Sequence, residues 1–389
     1  SASPGQHAPP SRAILSKDEM DAFLSRASSR YVTGNVPRLL FRQFGLYERV
    51  AGGDASAVEL ERDFEGEAGN HLMMVALPGV PPRQALWRTL NVLQLHNVHV
   101  LRAQVDAVHG PKPGAEPVTL LRTLITGRGT DGDTSSTAIS SGVDWKQVAA
   151  DTERIKWLDD SALRLATKAR GKLSLVQAEV AGALASLSLS IVNHPLLAPS
   201  TIHERLWSDS VLPHTLRLSS LFLQRFDPVA PMSNTPFAAA LQAARDAIHH
   251  EVGDIESQAL LNTMADGIEH TIRTNVHLDG RWALALRLAP QFFDSVKPVN
   301  DIVDNTPFGV FYVAGRHFQA FHTRFADIAR GGLRIVWPPN EEAHAQEFRK
   351  QFMECFNLAW AQQLKNKDIP EGGSKAVCLV RPVDYVSAE

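Results

Sequence analysis

Two segments near the end of the chain decide its fold: FADIARGGLRIV at residues 325–336 and NLAWAQQLKNKDIPEGGSK at residues 357–375. Each contains a pair of adjacent glycines flanked by Arg or Lys. Glycine has no Cβ atom, so the backbone at each pair can turn sharply and approach a ligand closely. Arg and Lys bind carboxylates through charge-assisted hydrogen bonds. The combination predicts a pocket for a small dicarboxylate.

Four segments of the last third resemble the large NAD-dependent glutamate dehydrogenases, in particular the long-chain eukaryotic class. Two are the glycine-containing segments, and the other two are TIRTNVHLDGRWALALRLAPQFF at 271–293 and FGVFYVAGRHFQAFHTRF at 308–325. The resemblance is specific over residues 271–380 and rests on the ordered run of segments. It implies a substrate domain of glutamate dehydrogenase type and a location on the matrix side of mitochondria.

The resemblance also implies the roles of individual residues. In the family, a lysine at the second glycine turn is catalytic and polarises the substrate carbonyl, and Lys375 stands at that position. A lysine about ten residues earlier binds a substrate carboxylate, and Lys365 matches it. The first glycine turn supplies a further cation, matched by Arg330 with Arg334 after it. The expected substrate-binding set is therefore Arg330, Gly331, Gly332, Arg334, Lys365, Gly372 and Gly373.

Three features depart from the family pattern. The residue after Lys375 is Ala376, where the family has glycine. A methyl group at a tight turn is expected to displace the lysine, and a displacement of about 1 Å can cost on the order of 100-fold in rate. The catalytic aspartate and the NAD domain of the family lie beyond the second glycine turn, and the sequence ends at Glu389 before them. No G-x-G-x-x-G motif follows a strand, so the sequence predicts no cofactor site of its own.

Composition narrows the function classes. The chain has 389 residues, is 44% hydrophobic and 21% charged, and carries a formal net charge of −3. This near-neutral balance does not favour nucleic acid as a partner. No apolar run reaches the roughly 18–20 residues of a membrane-spanning helix, so no transmembrane segment is expected. We expect no metal site either, because the adjacent His249 and His250 would point about 100° apart on a helix.

The hydrophobic pattern predicts a mixed α/β (α+β) chain. Strand, helix, strand and strand signals over residues 70–126 indicate a small ferredoxin-like module of the ACT kind, suited to packing, dimerisation or amino-acid binding. The first helix of the helical middle is expected to run from Trp145 to Lys168. The predicted domains are a flexible tail at 1–14, N-terminal helices with the ACT-like module at 15–127, a linker at 128–144, a helical domain at 145–275 and a truncated glutamate dehydrogenase-like domain at 276–389.

Two hypotheses for function follow from the resemblance and the departures. In the first, the chain is a non-catalytic relative of glutamate dehydrogenase that joins other protein subunits in a mitochondrial assembly, for example an ATP synthase-type complex. It would then bind no cofactor, and Lys375 would be vestigial. In the alternative, the chain is the front portion of an NAD-dependent glutamate dehydrogenase that converts glutamate to 2-oxoglutarate. The discriminating feature is whether a dinucleotide-binding segment follows Glu389.

Overall fold

The computed structural model describes residues 17–110, 112, 114–127, 142–191, 201–295, 306–365 and 368–382. The predicted tail at 1–14 lies outside these ranges. The chain has a mixed α/β fold and forms two compact units, which divide between Lys156 and Trp157. Each unit contains a β-sheet of its own.

The first unit is a four-stranded sheet with helices. Its strands lie in the order β1-β2-β4-β3, and each neighbouring pair is antiparallel. Strands β2 and β3 are therefore parallel to one another, with β4 between them, and helix α4 connects them as in a split β-α-β motif. The predicted strands and helix of this module are present; its assignment to the ACT kind stays a prediction. The elements are α1 (Lys17–Leu24), α2 (Ser29–Thr33), α3 (Pro37–Val50), β1 (Ala57–Glu61), β2 (Asn70–Pro78), α4 (Pro82–Leu95), β3 (Val98–Val108), β4 (Val118–Gly127) and α5 (Trp145–Arg154).

Helix α5 belongs to the first unit, whereas the sequence placed it in the helical domain. The Trp145 indole packs edge-on against the His71 ring, with 4.3 Å between the ring centroids. After the helix, the carbonyl of Ile155 accepts a hydrogen bond of 2.6 Å from the buried Arg88. These contacts join α5 to β2 and α4, so the units separate after the helix and not in the predicted linker, of which residues 128–141 lie outside the described ranges.

The predicted helix from Trp145 to Lys168 is two helices. The second, α6, begins at Asp160 because the Asp159 carboxylate caps its first turn by accepting from the Ser161 amide at 2.7 Å. The helices that precede the second sheet are α6 (Asp160–Lys168), α7 (Leu175–Leu189), α8 (Ile202–Arg205), α9 (Leu212–Arg225), α10 (Asn234–Glu251) and α11 (Ile255–Glu269). Most residues of α7 are buried, and α6, α8, α9 and α11 pack against it.

The sheet of the second unit carries both glycine pairs. Its strands lie in the order β10-β11-β8-β7-β6-β5, and the short β9 also pairs with β11. Strands β10 and β11 are parallel and are joined through the long helix α12, while the pairs from β11 to β5 are antiparallel. The elements are β5 (Thr271–Thr274), β6 (Ala283–Leu288), β7 (Gly309–Gly315), β8 (Phe318–Arg324), β9 (Ala329–Arg330), β10 (Leu333–Val336), α12 (Glu341–Gln363) and β11 (Gly372–Val380).

Helix α12 covers one face of this sheet. Phe352 is buried and stacks on Phe293 with 3.9 Å between ring centroids, and Phe321 of β8 meets the same ring edge-on. Burying one such side chain stabilises the fold by roughly 2–3 kcal/mol. Alternate residues of β11, Val377 and Leu379, are buried on the same face. The helix therefore packs along the length of β11, the strand that carries Lys375.

A helix needs about 20 apolar residues to cross the hydrocarbon core of a bilayer. None of the helices described above combines that length with sufficient hydrophobicity.

Candidate functional site

The two glycine segments meet at one end of the sheet. Strands β9 and β11 pair in parallel, with Gly372 opposite Ala329 and Gly373 opposite Arg330. The Gly372 amide donates to the Ile328 carbonyl at 2.8 Å, and the Ala376 amide donates to the Gly332 carbonyl at 3.1 Å. The structure thus brings together the two segments that the sequence linked to one pocket.

Gly331, Gly372 and Gly373 are required by close contacts inside the protein and not by turn geometry. None of Gly331, Gly332, Gly372 and Gly373 has a positive φ, and the second pair begins the extended strand β11, so the expected sharp turn is wrong for it. A Cβ atom on Gly331 would lie 1.6 Å from the Ser374 carbonyl oxygen. A Cβ atom on Gly373 would lie 2.1 Å from the Gln363 amide nitrogen. The glycines therefore let β9, β11 and the end of α12 approach one another closely.

Lys375 lies at the centre of this junction. Its side chain is half-buried, and its Nζ atom is 3.5 Å from the position that a Cβ atom on Gly332 would occupy. On β11 it lies opposite Thr323 of β8, on the face that α12 covers. The ammonium group is therefore held over the backbone of the first glycine segment, close to where the resemblance places the substrate.

Ala376 does not disturb this arrangement. It lies inside β11, opposite His322 on one side and Leu333 on the other. Extended backbone accommodates a Cβ atom without strain. The expectation that its methyl group displaces Lys375 is therefore wrong, because the residue is in a strand and not in a tight turn.

The other predicted cations lie at the surface. The Arg330 side chain is 77% exposed and its guanidinium is 4.0 Å from the Glu371 carboxylate. Arg334 makes an ion pair of 2.9 Å with Glu354. Lys365 is exposed and directly follows Leu364, the C-cap of α12.

Three residues that the sequence did not single out for the site tie α12 to the strand of Lys375. The Cys355 thiol lies 3.2 Å from the Lys375 carbonyl oxygen, and burial raises the pKa of this thiol to about 11, so it remains a donor. Gln351 donates to the Val377 carbonyl at 3.0 Å. Gln363 accepts from the Gly373 amide at 2.6 Å. The sequence does contain a signal for Gln351 and Cys355, because both residues recur at the same helical spacing as the buried apolar residues of α12.

The connection between β10 and α12 does not form a phosphate cradle for NAD. Strands β10 and β11 with α12 make a parallel strand-helix-strand unit, the usual setting for dinucleotide binding. Its strand-to-helix connection, however, is Trp337-Pro338-Pro339-Asn340, without glycine, and Glu341 and Glu342 occupy the first turn of the helix. Prolines lack the N–H donors that bind a pyrophosphate, and the carboxylates repel it. Within the described ranges there is also no cluster of three His, Cys, Asp or Glu side chains able to hold a metal ion.

Comparison with known proteins found a family model that matches the last part of the chain. Residues 245–387 match the family model for the bacterial NAD-glutamate dehydrogenase, catalytic domain. The NAD-specific glutamate dehydrogenase of Saccharomyces cerevisiae is 37% identical over 164 residues, which is 42% of this chain and 14% of the yeast protein. Glutamate dehydrogenase 2 of Dictyostelium discoideum is 42% identical over 120 residues, 31% of this chain and 11% of that protein.

A bacterial relative gives a weaker match. The NAD-specific glutamate dehydrogenase of Halomonas elongata is 31% identical over 178 residues, 43% of this chain and 10% of that protein. The matches thus span 14% or less of the length of these three relatives. The resemblance over residues 271–380 is confirmed, and the chain contains a glutamate dehydrogenase-like domain.

Proposed function

We propose that this chain supplies the glutamate-binding part of an NAD-dependent glutamate dehydrogenase, which converts glutamate, NAD and water to 2-oxoglutarate, ammonium and NADH. The observation that carries the proposal is the position of the Lys375 ammonium over Gly332, at the junction of the two glycine segments. The relatives named above are all called glutamate dehydrogenases, which also supports it.

In this proposal, Lys375 acts on the C2 position of the substrate. An ammonium group donates hydrogen bonds and attracts electron density, so it polarises the carbonyl of 2-oxoglutarate or holds the corresponding imine. The α12 contacts, through Cys355 to the Lys375 carbonyl and through Gln363 to the Gly373 amide, fix the backbone from which the lysine projects. Such fixing matters because positional errors of about 1 Å are costly in catalysis.

The substrate carboxylates are assigned to the surface cations around the junction. Arg330 and Arg334 flank the first glycine pair, and Lys365 follows the end of α12, whose Gln363 contacts Gly373. Arg binds a carboxylate through two parallel hydrogen bonds, whereas Lys acts as a point charge. We therefore assign Arg330 or Arg334 to one carboxylate and Lys365 to the other.

The proposal places NAD binding away from the connection between β10 and α12, because its Pro338-Pro339 pair does not fit a pyrophosphate. When bound, NAD would supply the hydride acceptor. The hypothesis of a non-catalytic subunit of an ATP synthase-type assembly gains no support from the named relatives. Mitochondrial location, association with other subunits and an ACT-like module remain predictions from the sequence.

The proposal is tested with the full native polypeptide by following glutamate-dependent reduction of NAD. Lys375→Met keeps the aliphatic stem and removes the charge, so we expect turnover to fall by at least about 100-fold. Lys350→Met is the matched control, because Lys350 is on the exposed side of α12 and pairs with Glu347; it should leave turnover within about twofold. Absence of NAD reduction by the unaltered polypeptide, or equal turnover in both variants, would reject the proposal.

A further inference from the structure

A small cavity lies in the second unit at the other end of β11 from Lys375. Its volume is about 50 Å³. Since one ordered water needs about 10–15 Å³ on this measure, the cavity holds about three to five waters or a molecule of similar size. Its polar lining includes Asp159, Glu179, His203, Tyr312, His344 and Arg381, and the Glu179 carboxylate is paired with Arg281.

The cavity contains an opposite pair of charges. One guanidinium nitrogen of Arg381 lies 2.9 Å from the Asp159 carboxylate. Burial tends to raise the pKa of Asp159, but the combined effect of Arg381, His203 and the hydrogen bonds from Ser161 is larger and lowers it. The pKa of Asp159 therefore lies below its ordinary value, and the carboxylate is ionised at neutral pH. The contact uses one nitrogen of Arg381, whereas a guanidinium carries five N–H donors.

Two neutral histidines line the same cavity. Burial lowers the pKa of His203 to about 4 and that of His344 to about 4, so neither ring is charged at neutral pH. The Nδ1 atom of His203 is buried, next to Gly182, and has no hydrogen-bond partner among the described residues. The neutral His203 ring thus offers a hydrogen-bonding nitrogen without adding charge.

We propose that this cavity binds a small zwitterion with one carboxylate and one ammonium group, of the size of glycine. Arg381 binds the carboxylate, Asp159 binds the ammonium, and the histidines supply neutral hydrogen-bond partners. The Asp159 carboxylate would repel a ligand that carries only a negative charge, and Arg381 would repel one that carries only a positive charge. A ligand with both charges therefore fits best. Glycine has five non-hydrogen atoms, whereas glutamate is too large for about 50 Å³.

The cavity is separate from the glutamate dehydrogenase-like site. Arg381 follows Lys375 by six residues along an extended strand, which corresponds to roughly 20 Å. The cavity proposal therefore does not depend on the function proposed above.

The test is calorimetric titration of the full native polypeptide with glycine, and with acetate and methylammonium as the two halves of the ligand. We expect glycine to bind more tightly than either half. Arg381→Met and Asp159→Asn should each weaken binding by about tenfold or more, since each removes a charge-assisted contact. Asn at position 159 can still cap α6. Lys350→Met is the control, because Lys350 is exposed and does not line the cavity, and it should leave glycine affinity unchanged. Glycine binding that is absent, no tighter than that of acetate, or unaffected by both cavity variants would overturn the proposal.

A second measurement uses the unaltered protein, in case a variant fails to fold. Glycine should shift the imidazole NMR signals of His203 and His344, with His203→Gln providing the assignment. Unshifted signals at saturating glycine would also overturn the proposal.

Discussion

The Lys375 ammonium nitrogen lies 3.5 Å from the point where a Cβ atom on Gly332 would stand. The two residues come from β11 and from the connection between β9 and β10, and the parallel pairing of these segments sets their distance. Gly331, one residue earlier, has a different neighbour, because its missing Cβ would overlap the Ser374 carbonyl oxygen. Adjacent glycines therefore serve different purposes: one permits the fold and the other faces the candidate catalytic lysine.

We predict that Gly331→Ala destabilises the second unit. A Cβ atom 1.6 Å from a backbone oxygen forces β9 away from β11, at a cost on the order of 2–4 kcal/mol. Gly253→Ala is the control in the same unit, since a Cβ atom there meets nothing within 4 Å. Thermal unfolding followed by circular dichroism checks the difference. Equal melting temperatures for the two variants would contradict the structure of the junction.

We predict that Gly332→Ala folds with little loss of stability but loses activity. Its Cβ atom would make an ordinary contact of 3.5 Å with the Lys375 ammonium and occupy space beside it. On the proposed function, glutamate turnover should fall by roughly tenfold or more, because the substrate must approach the same ammonium. Steady-state kinetics beside an unfolding curve separates the two effects. Full activity of the variant would show that Gly332 is not part of the substrate site.

Acidification should destabilise the second unit. The pKa values of His203 and His344 are lowered to about 4 in the folded protein, whereas unfolded histidine titrates near 6.5. Between these values the unfolded chain binds more protons, so stability is complete above about pH 6.5 and falls as the pH drops towards 4. The loss should be on the order of 1–3 kcal/mol per histidine.

Unfolding midpoints between pH 7.5 and 4.5 test this expectation. His344→Gln removes one titrating group and should flatten the profile. An equally steep profile in that variant would mean that other groups carry the dependence.

The two cysteines should react with iodoacetamide slowly and in a set order. Burial raises the pKa of Cys378, and it raises that of Cys355 to about 11, so less thiolate is present at pH 8 than in a free cysteine. Cys378 is half-buried and should be alkylated first, whereas Cys355 is fully buried under β11. Peptide mass spectrometry over time measures both rates. Faster alkylation of Cys355 would contradict the packing of α12 on the sheet.

The local spacing of hydrophobic residues was sufficient to predict most of the helices and strands. The alternation over Val98–Val108 predicts a strand with the bounds that β3 has in the structure. The helical spacing of apolar residues predicts a helix over Ala343–Lys365, and α12 (Glu341–Gln363) begins and ends two residues earlier. These signals are local, because strand and helix periods depend on neighbouring residues along the chain. The ordered segments of residues 271–380 likewise led to the glutamate dehydrogenase resemblance without any structure.

The sequence by itself thus determined the kinds of elements, the family resemblance and the residues expected at its site. Tertiary structure decided why the glycines are needed, where Ala376 lies, which unit holds α5, and that Asp159 and Arg381 share a cavity. Each of these depends on contacts between segments far apart in sequence. Strand register and the space left for a Cβ atom are set by the neighbouring strand or helix, so they cannot be predicted from the local periodicity of the sequence.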